Sequence, residues 1–421
     1  MRITQHINKV SALIHEHGHH LGAFAYLSGM RVVQIALGLV TTYFLTRSLS
    51  IEQYGEYQFV LNVIGALSVF SLTEFNNTLM QSIARGFKGS YQRMLPYPLI
   101  GSMIGSAILL MAAMYQTFID PHPHLAIAFL IAALFTPFTQ GLILWRGLKV
   151  GEGNFASFTK LETVGMLASQ MGIIGICLMN PGDYVYVLFV FLLFPALFNL
   201  GMHLVSAARI NKNHSKQSED GVVSHGLWSS FYSSSFTLSN YIDKLLIYFF
   251  IAPSALALFV AADRVADLLR SAVQDMATVL APKFAKSTTY SYQMDRVIKL
   301  FCVGFAVLLG IFAFTLLPVV ITTIYGDGYR DAVPYAQAMI VSIALGNLAS
   351  IQFRYIRSKL DTRNYRNIIV STSLARIILS VVLIPLFGVA GAVISAILYR
   401  LILSTVTDVT IKKYYLGKHE N

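Results

Sequence analysis

The sequence predicts an all-α, polytopic membrane protein with about twelve transmembrane helices, arranged as two parallel six-helix bundles around a central cavity. Three observations lead there. The 421 residues are 55% hydrophobic and only 12% charged, whereas soluble domains carry roughly 25% charged residues. Apolar stretches of spanning length recur from about Leu21 to about Tyr414. Lys and Arg are sorted between alternate connections. Arg85, Lys88 and Arg93, then Arg146, Lys149 and Lys160, then Arg354, Arg357 and Lys359 fall on one side, while Arg47 and Arg330 fall on the other. A basic excess in short loops marks the cytoplasmic face, which places both termini inside an inner (cytoplasmic) membrane. The formal charge of +11 is this topology signal. Its partner is anionic lipid, and no nucleic acid is implied.

The elements follow in order. A cytoplasmic tail, 1–20, precedes spans expected at 21–46, 56–83, 94–118, 122–145, 158–180 and 183–208, which form an N-terminal bundle over 21–210. The tail's Arg2, Lys9 and His15–His20 run is polar, and the apolar stretch after it is too long for a signal peptide. The stretch 211–225, with Lys216, Glu219, Asp220 and Gly221, is polar and breaker-rich and reads as a cytoplasmic linker. Spans at 226–252, 254–282, 297–324, 330–357, 366–388 and 389–414 make a C-terminal bundle over 226–414, and 415–421 is a tail. Lys149 and Asn154 echo as Lys359 and Asn364. Six helices per half keep the halves in one orientation, so the repeat is parallel.

Pro137, Pro195, Pro318 and Pro385 are expected to interrupt the fourth, sixth, ninth and eleventh helices, since proline removes a backbone donor. Cys177 and Cys302 fall near opposite membrane faces and read as small packing residues. Neither a P-loop, a zinc signature nor a nucleophile elbow occurs, so no catalytic residue, metal or cofactor is expected. Any energy coupling then comes from an H+ or Na+ gradient, the membrane potential or mass action.

Ionisable residues inside the spans carry the functional signal. A charged side chain facing lipid at mid-depth costs at least ~2.5–3.5 kcal/mol, so such groups turn toward a bundle interior or a wet cavity. The first helix places Arg31, Gln34, Gly38 and Thr42 on one face, and the second does the same with Ser71, Glu74, Asn77 and Gln81. The seventh carries Ser233, Thr237, Asn240 and Lys244, with Asp243 alongside. The eighth carries Asp263, Asp267, Arg270 and Gln274, flanked by Arg264 and Asp275. Arg376 and Arg400 join from the last two helices.

Candidate substrate contacts are therefore Arg31, Gln34, Asn77, Asn240, Lys244, Arg264, Arg270, Arg376 and Arg400. Candidate ion-coupling carboxylates are Glu74, Asp243, Asp263 and Asp267. The plainer alternative is local pairing along the eighth helix at i±3 or i±4. The intramembrane bases are offset in number by Glu74, Asp243, Asp263, Asp267, Asp275 and Asp408, so the sequence alone also admits a zwitterionic or cationic substrate.

Several stretches resemble one family. Thr46-Arg47-Ser48-Leu49-Ser50 through Tyr54-Gly55-Glu56-Tyr57 is similar to the segment after the first helix of bacterial polysaccharide flippases. Ser71-Leu72-Thr73-Glu74-Phe75 through Arg85-Gly86 resembles their second helix, and Tyr241-Ile242-Asp243-Lys244 their seventh. Tyr325-Gly326 to Pro334 and Ile384-Pro385 to Gly391-Ala392 resemble their C-terminal half. Asn76-Asn77 depart from the pattern and add polarity to the second helix.

The resemblance implies a Wzx-type (O-antigen) oligosaccharide flippase with a fold of the MATE/MVF superfamily. It implies a substrate linked to undecaprenyl pyrophosphate, carried from the cytoplasmic to the periplasmic leaflet. Membrane lipids and other polysaccharide-assembly proteins would be its partners. The rival readings are a MATE-like multidrug or cation exporter, a peptidoglycan lipid-precursor flippase and, remotely, a membrane glycosyltransferase or polymerase. The short outer connections disfavour the last of these.

Overall fold

Residues 30, 33–179, 182–212, 217–286, 290–359 and 361–416 are described in a computed structural model, without the side chains of 211–212, 272–286 and 362. The described chain is helical almost throughout, and its one β feature is an isolated bridge between Tyr290 and Leu416. Helix α1 covers 33–48. It is followed by α2 (Ile51–Leu67), α3 (Phe75–Ala84), α4 (Ser90–Met94), α5 (Pro96–Phe118), α6 (Pro123–Thr136), α7 (Trp145–Gly151), α8 (Phe155–Met179) and α9 (Tyr184–Lys212). The second half comprises α10 (Val222–Phe250), α11 (Pro253–Lys286), α12 (Tyr292–Thr315), α13 (Leu317–Tyr325), α14 (Ala332–Ser358), α15 (Thr362–Phe387) and α16 (Val389–Tyr414).

Local chemistry explains the boundaries. Ser50 and Gln53 form a reciprocal capping box that starts α2. Prolines open α5, α6 and α13, where no helical donor is needed. Asp361 accepts the Asn364 amide at 3.0 Å and caps α15. The reversal from α15 to α16 turns on Gly388, whose φ of 63° suits glycine.

Helical segments match each of the expected spans, which makes this a multi-pass membrane protein. Eight described helical stretches are long and apolar enough to cross a membrane. The others are α1, the α2–α3 pair, α10 and α11, which carry the polar stripes. Of these, α1, α2 and α3 are each shorter than 18 residues as described, while α10 and α11 are long enough but carry many polar side chains.

The prolines behave unequally. Pro137 begins a π-helical turn, Pro137–Gly141, and Pro318 opens α13 after a break from α12. Helices α9 and α15 run on through Pro195 and Pro385, which corrects the expectation of four interruptions. Lost donors can be compensated by neighbouring side chains and backbone in a packed bundle. An unexpected break separates α2 from α3 at residues 68–74, where Leu72 adopts φ 52°. Gln140, on the π-turn, donates to the Ile64 carbonyl at 2.9 Å and accepts from Ser71 Oγ at 3.0 Å. Thus each distorted helix supplies partners for the other.

Within the first half α5 packs on α6, α3 on α7 and α8 on α9. Within the second, α14 packs against α11, α12 and α16, while α15 packs against α10 and α16. The halves meet where α2 and α3 lie against α10 and α11. Gly55 permits that approach, because a Cβ there would collide with the Pro253 carbonyl. Phe59 stacks on Tyr248 across the same junction, with ring centroids 3.6 Å apart. At this Arg47-bearing end Arg47 donates to the carbonyls of Ile324 (2.9 Å) and Thr323 (3.0 Å), and Tyr54 meets Tyr329 edge-on. That end is shut. Cys177 and Cys302 are both buried and unbridged.

Candidate functional site: two chambers on either side of α11

Helix α11 divides the central space. On its C-terminal-half side lies a cavity of about 570 Å³, lined from α10, α11, α14, α15 and α16, with Glu74 from the first half. It extends from the middle of the bundle toward the end that carries Arg354 and Arg357. On the other side a cavity of about 510 Å³ is lined from α1, α2, α8, α9, α11 and Tyr325. Asp267 lines both, the one residue that the two linings share among those described.

The first chamber holds Lys244, Arg270, Arg354, Arg357, Arg376 and Arg400, six cations, against Glu74, Asp263 and Asp267. Lys244 Nζ lies 2.8 Å from Asp263 Oδ2, and Arg270 Nη1 lies 2.6 Å from Asp267 Oδ1. The local pairing foreseen along the eighth helix is present, but it consumes only part of the positive charge. Arg376 donates to Asp243 at 2.7 Å and to Asn240 Oδ1 at 3.1 Å. Asp243 is 1% exposed and accepts a further bond from Ser380. Arg400 has no carboxylate partner among the described residues. Its guanidinium lies 5.3 Å from the Tyr399 ring, and its stem passes over Gly346. The Nε groups of Arg270 and Arg376 are buried without acceptors.

The predicted residues distribute as follows. Asn240, Lys244, Asp263, Arg270, Arg376, Arg400 and Glu74 line the first chamber. Gln34 and Arg264 line the second, where Gln34 Nε2 donates to Thr163 at 3.0 Å. Asp243 sits behind the first chamber wall in its pair with Arg376. Asn77 lies in neither large chamber and donates to Glu74 Oε2 at 2.8 Å. Arg31, the side chains of Gln274 and Asp275, and the 1–20 tail lie outside the described residues.

Asp408, included in the sequence's charge balance, instead pairs with Lys412 at 2.6 Å and Lys299 at 3.5 Å. Even with Arg376 offset by Asp243, the first chamber is cationic where the sequence tally is neutral, because Arg354 and Arg357 add to its lining. Sequence reasoning counted Arg354 and Arg357 only as topology markers. Ser350, Arg354 and Arg357 recur at i, i+4 and i+7, a one-face spacing that could have revealed their second role.

The family described as "Polysaccharide biosynthesis protein" matches residues 22–288. A search of curated protein sequences finds no match. Among solved structures, the fold is similar to an inward-facing multidrug resistance MATE-family transporter of the MOP superfamily. The TM-score is 0.60 at 11% identity, over 90% of this chain and 94% of that one. It is also similar to the lipid II flippase MurJ in an inward closed conformation, with TM-score 0.63 at 15% identity, over 92% and 87%. A MOP-superfamily transporter from Pyrococcus furiosus gives TM-score 0.55 at 14% identity, over 91% and 93%. This chain is a member of the polysaccharide biosynthesis protein family, built on the fold of the MOP-superfamily transporters.

Proposed function

We propose that the protein flips an undecaprenyl-pyrophosphate-linked oligosaccharide, an O-antigen or other surface polysaccharide unit. It moves this unit from the cytoplasmic to the periplasmic leaflet of a bacterial inner membrane by alternating access. The observation that carries this reading is Arg400, a guanidinium without a carboxylate partner among the described residues, in a chamber whose six cations outnumber Glu74, Asp263, Asp267 and the Asp243 paired with Arg376. A diphosphate crossing ~30 Å of hydrocarbon needs its water replaced by such donors. The basic residues around the Arg354-bearing end support a cytoplasmic orientation for it, with the chamber toward the leaflet where such lipids are made. An inside-negative potential favours outward movement of negative charge by ~2.3 kcal/mol per charge per 100 mV.

On this reading the protein transports and catalyses no covalent change. It works with H+, Na+ or potential coupling, and passes its cargo to other polysaccharide-assembly proteins. Asp267 is the carboxylate best placed to couple, because it borders both chambers. A cation exporter of the same fold would favour an acidic chamber, and the charge excess here is basic. A peptidoglycan precursor shares the diphosphate and is distinguished by the glycan.

The test is deletion of the gene in its native strain, followed by identification of lipid-linked glycans. Accumulation of a diphosphate-linked polysaccharide unit in the cytoplasmic leaflet is expected. Unchanged glycan export together with lost drug resistance would favour the exporter.

A further inference from the structure

The chambers beside α11 differ in chemistry. The described lining of the second chamber contains one cation and one carboxylate, Arg264 and Asp267, whose charges offset. Its other polar side chains carry amides and hydroxyls, Gln34, Thr42, Gln58, Gln170, Ser271 and Tyr325 among them. Tyr57 and Phe191, edge to face at 6.2 Å, add aromatic surface.

Gln170 comes from α8 and Gln58 from α2, so side-chain amides line the space from two different helices. Amides and hydroxyls that both donate and accept, beside aromatic faces, match the many hydroxyls and the apolar C–H face of a pyranose ring. Asp267 borders both chambers, which puts this space next to the one lined by Arg270 and Arg400.

We propose that the chamber between α1, α2, α8 and α11 is a sugar subsite. It receives the pyranose rings adjoining a diphosphate held in the cationic chamber. The inference rests on the flippase reading above and adds where, and by which groups, the glycan is read.

The full-length protein in nanodiscs is titrated with two probes: bare undecaprenyl pyrophosphate, and the same lipid bearing one N-acetylglucosamine. The wild type is expected to bind the glycosylated lipid roughly tenfold tighter, the worth of one or two net hydrogen bonds. Gln170→Leu and Gln58→Leu, on different helices, should each cut that preference several-fold. Arg400→Gln should weaken both lipids and keep the preference. A wild type that binds the two lipids equally overturns the sugar subsite, as does an unchanged preference in both glutamine variants. In either case the diphosphate reading stands. Failure to bind either lipid overturns that reading itself, and the subsite with it.

Discussion

Arg376 Nη2 lies 2.7 Å from Asp243 Oδ2 and ties α15 to α10 through an ion pair whose carboxylate is 1% exposed. Asn240 and Ser380 complete the arrangement, so both Asp243 oxygens are engaged. Removing one member of a buried pair strands its partner and costs about 3–5 kcal/mol, whereas replacing both with apolar groups is often neutral. Asp243→Ala is therefore expected to lower thermal stability sharply, and Asp243→Leu combined with Arg376→Met to restore most of it. Thermal unfolding in detergent measures both. A double variant no more stable than Asp243→Ala would contradict the pairing account.

Gly346 sets the position of Arg400. A Cβ at Gly346 would lie 2.7 Å from Arg400 Cδ, so the arginine must shift to accommodate it. Gly346→Ala should reduce transport roughly tenfold, equivalent to ~1.4 kcal/mol, while the protein stays folded. Gly304→Ala, with open space around the new methyl, is the control and should leave transport unchanged. Transport assays on both variants decide whether the Arg400 position matters.

The closed end depends on Arg47. Its guanidinium bonds the last carbonyls of α13, where a cation is also favoured by the helix dipole. Arg47→Ala should release about 1–2 kcal/mol of closure, a roughly 5- to 30-fold shift toward opening. Spin labels at the exposed Glu52 and Asp327 should then show a longer distance population. An unchanged distribution would mean that the aromatic contacts alone keep this end shut.

Much of this was legible in the sequence. The recurrent apolar stretches marked the spans, because each crossing needs about 20 apolar residues. Polar stripes on four helices marked the interior, because lipid does not tolerate charge. The break between α2 and α3 was hidden, since residues 68–74 contain neither Gly nor Pro. Its partners, Gln140 and the Gly101 backbone approach to Phe70, come from elsewhere in the chain. The division into two chambers was also hidden. Helical spacing shows which residues share a face, but Asp267 borders both spaces only because α11 stands between them. Asp408 leaves the charge balance through Lys412, four residues on and visible in the sequence, and through Lys299 and Gln352, which come from other helices.

The docking of residues 217–221 on α4 carries a pH signature. Gly89 donates to the Gln217 carbonyl at 2.9 Å, and Arg85 Nη2 lies 2.7 Å from Glu219 Oε2. The Arg85 hydrogen bond holds the Glu219 carboxyl below its ordinary range. A depressed folded value means the stabilisation is complete above the ordinary carboxylate range and is lost as pH falls through the depressed one. The pair is partly exposed, so its contribution stays below ~1 kcal/mol. Hydrogen exchange at the Gly89 and Glu219 amides, corrected for intrinsic rates, should show weaker protection in acid. Glu219→Gln should remove that pH dependence.

Reconstitution tests the central claim most directly. Proteoliposomes containing a glycosylated undecaprenyl pyrophosphate are assayed for lipid movement between leaflets, with wild type, Arg400→Gln and protein-free vesicles compared. The account predicts protein-dependent flipping that Arg400→Gln largely abolishes. Flipping no faster than in protein-free vesicles, alongside active transport of an organic cation by the same preparation, would contradict it.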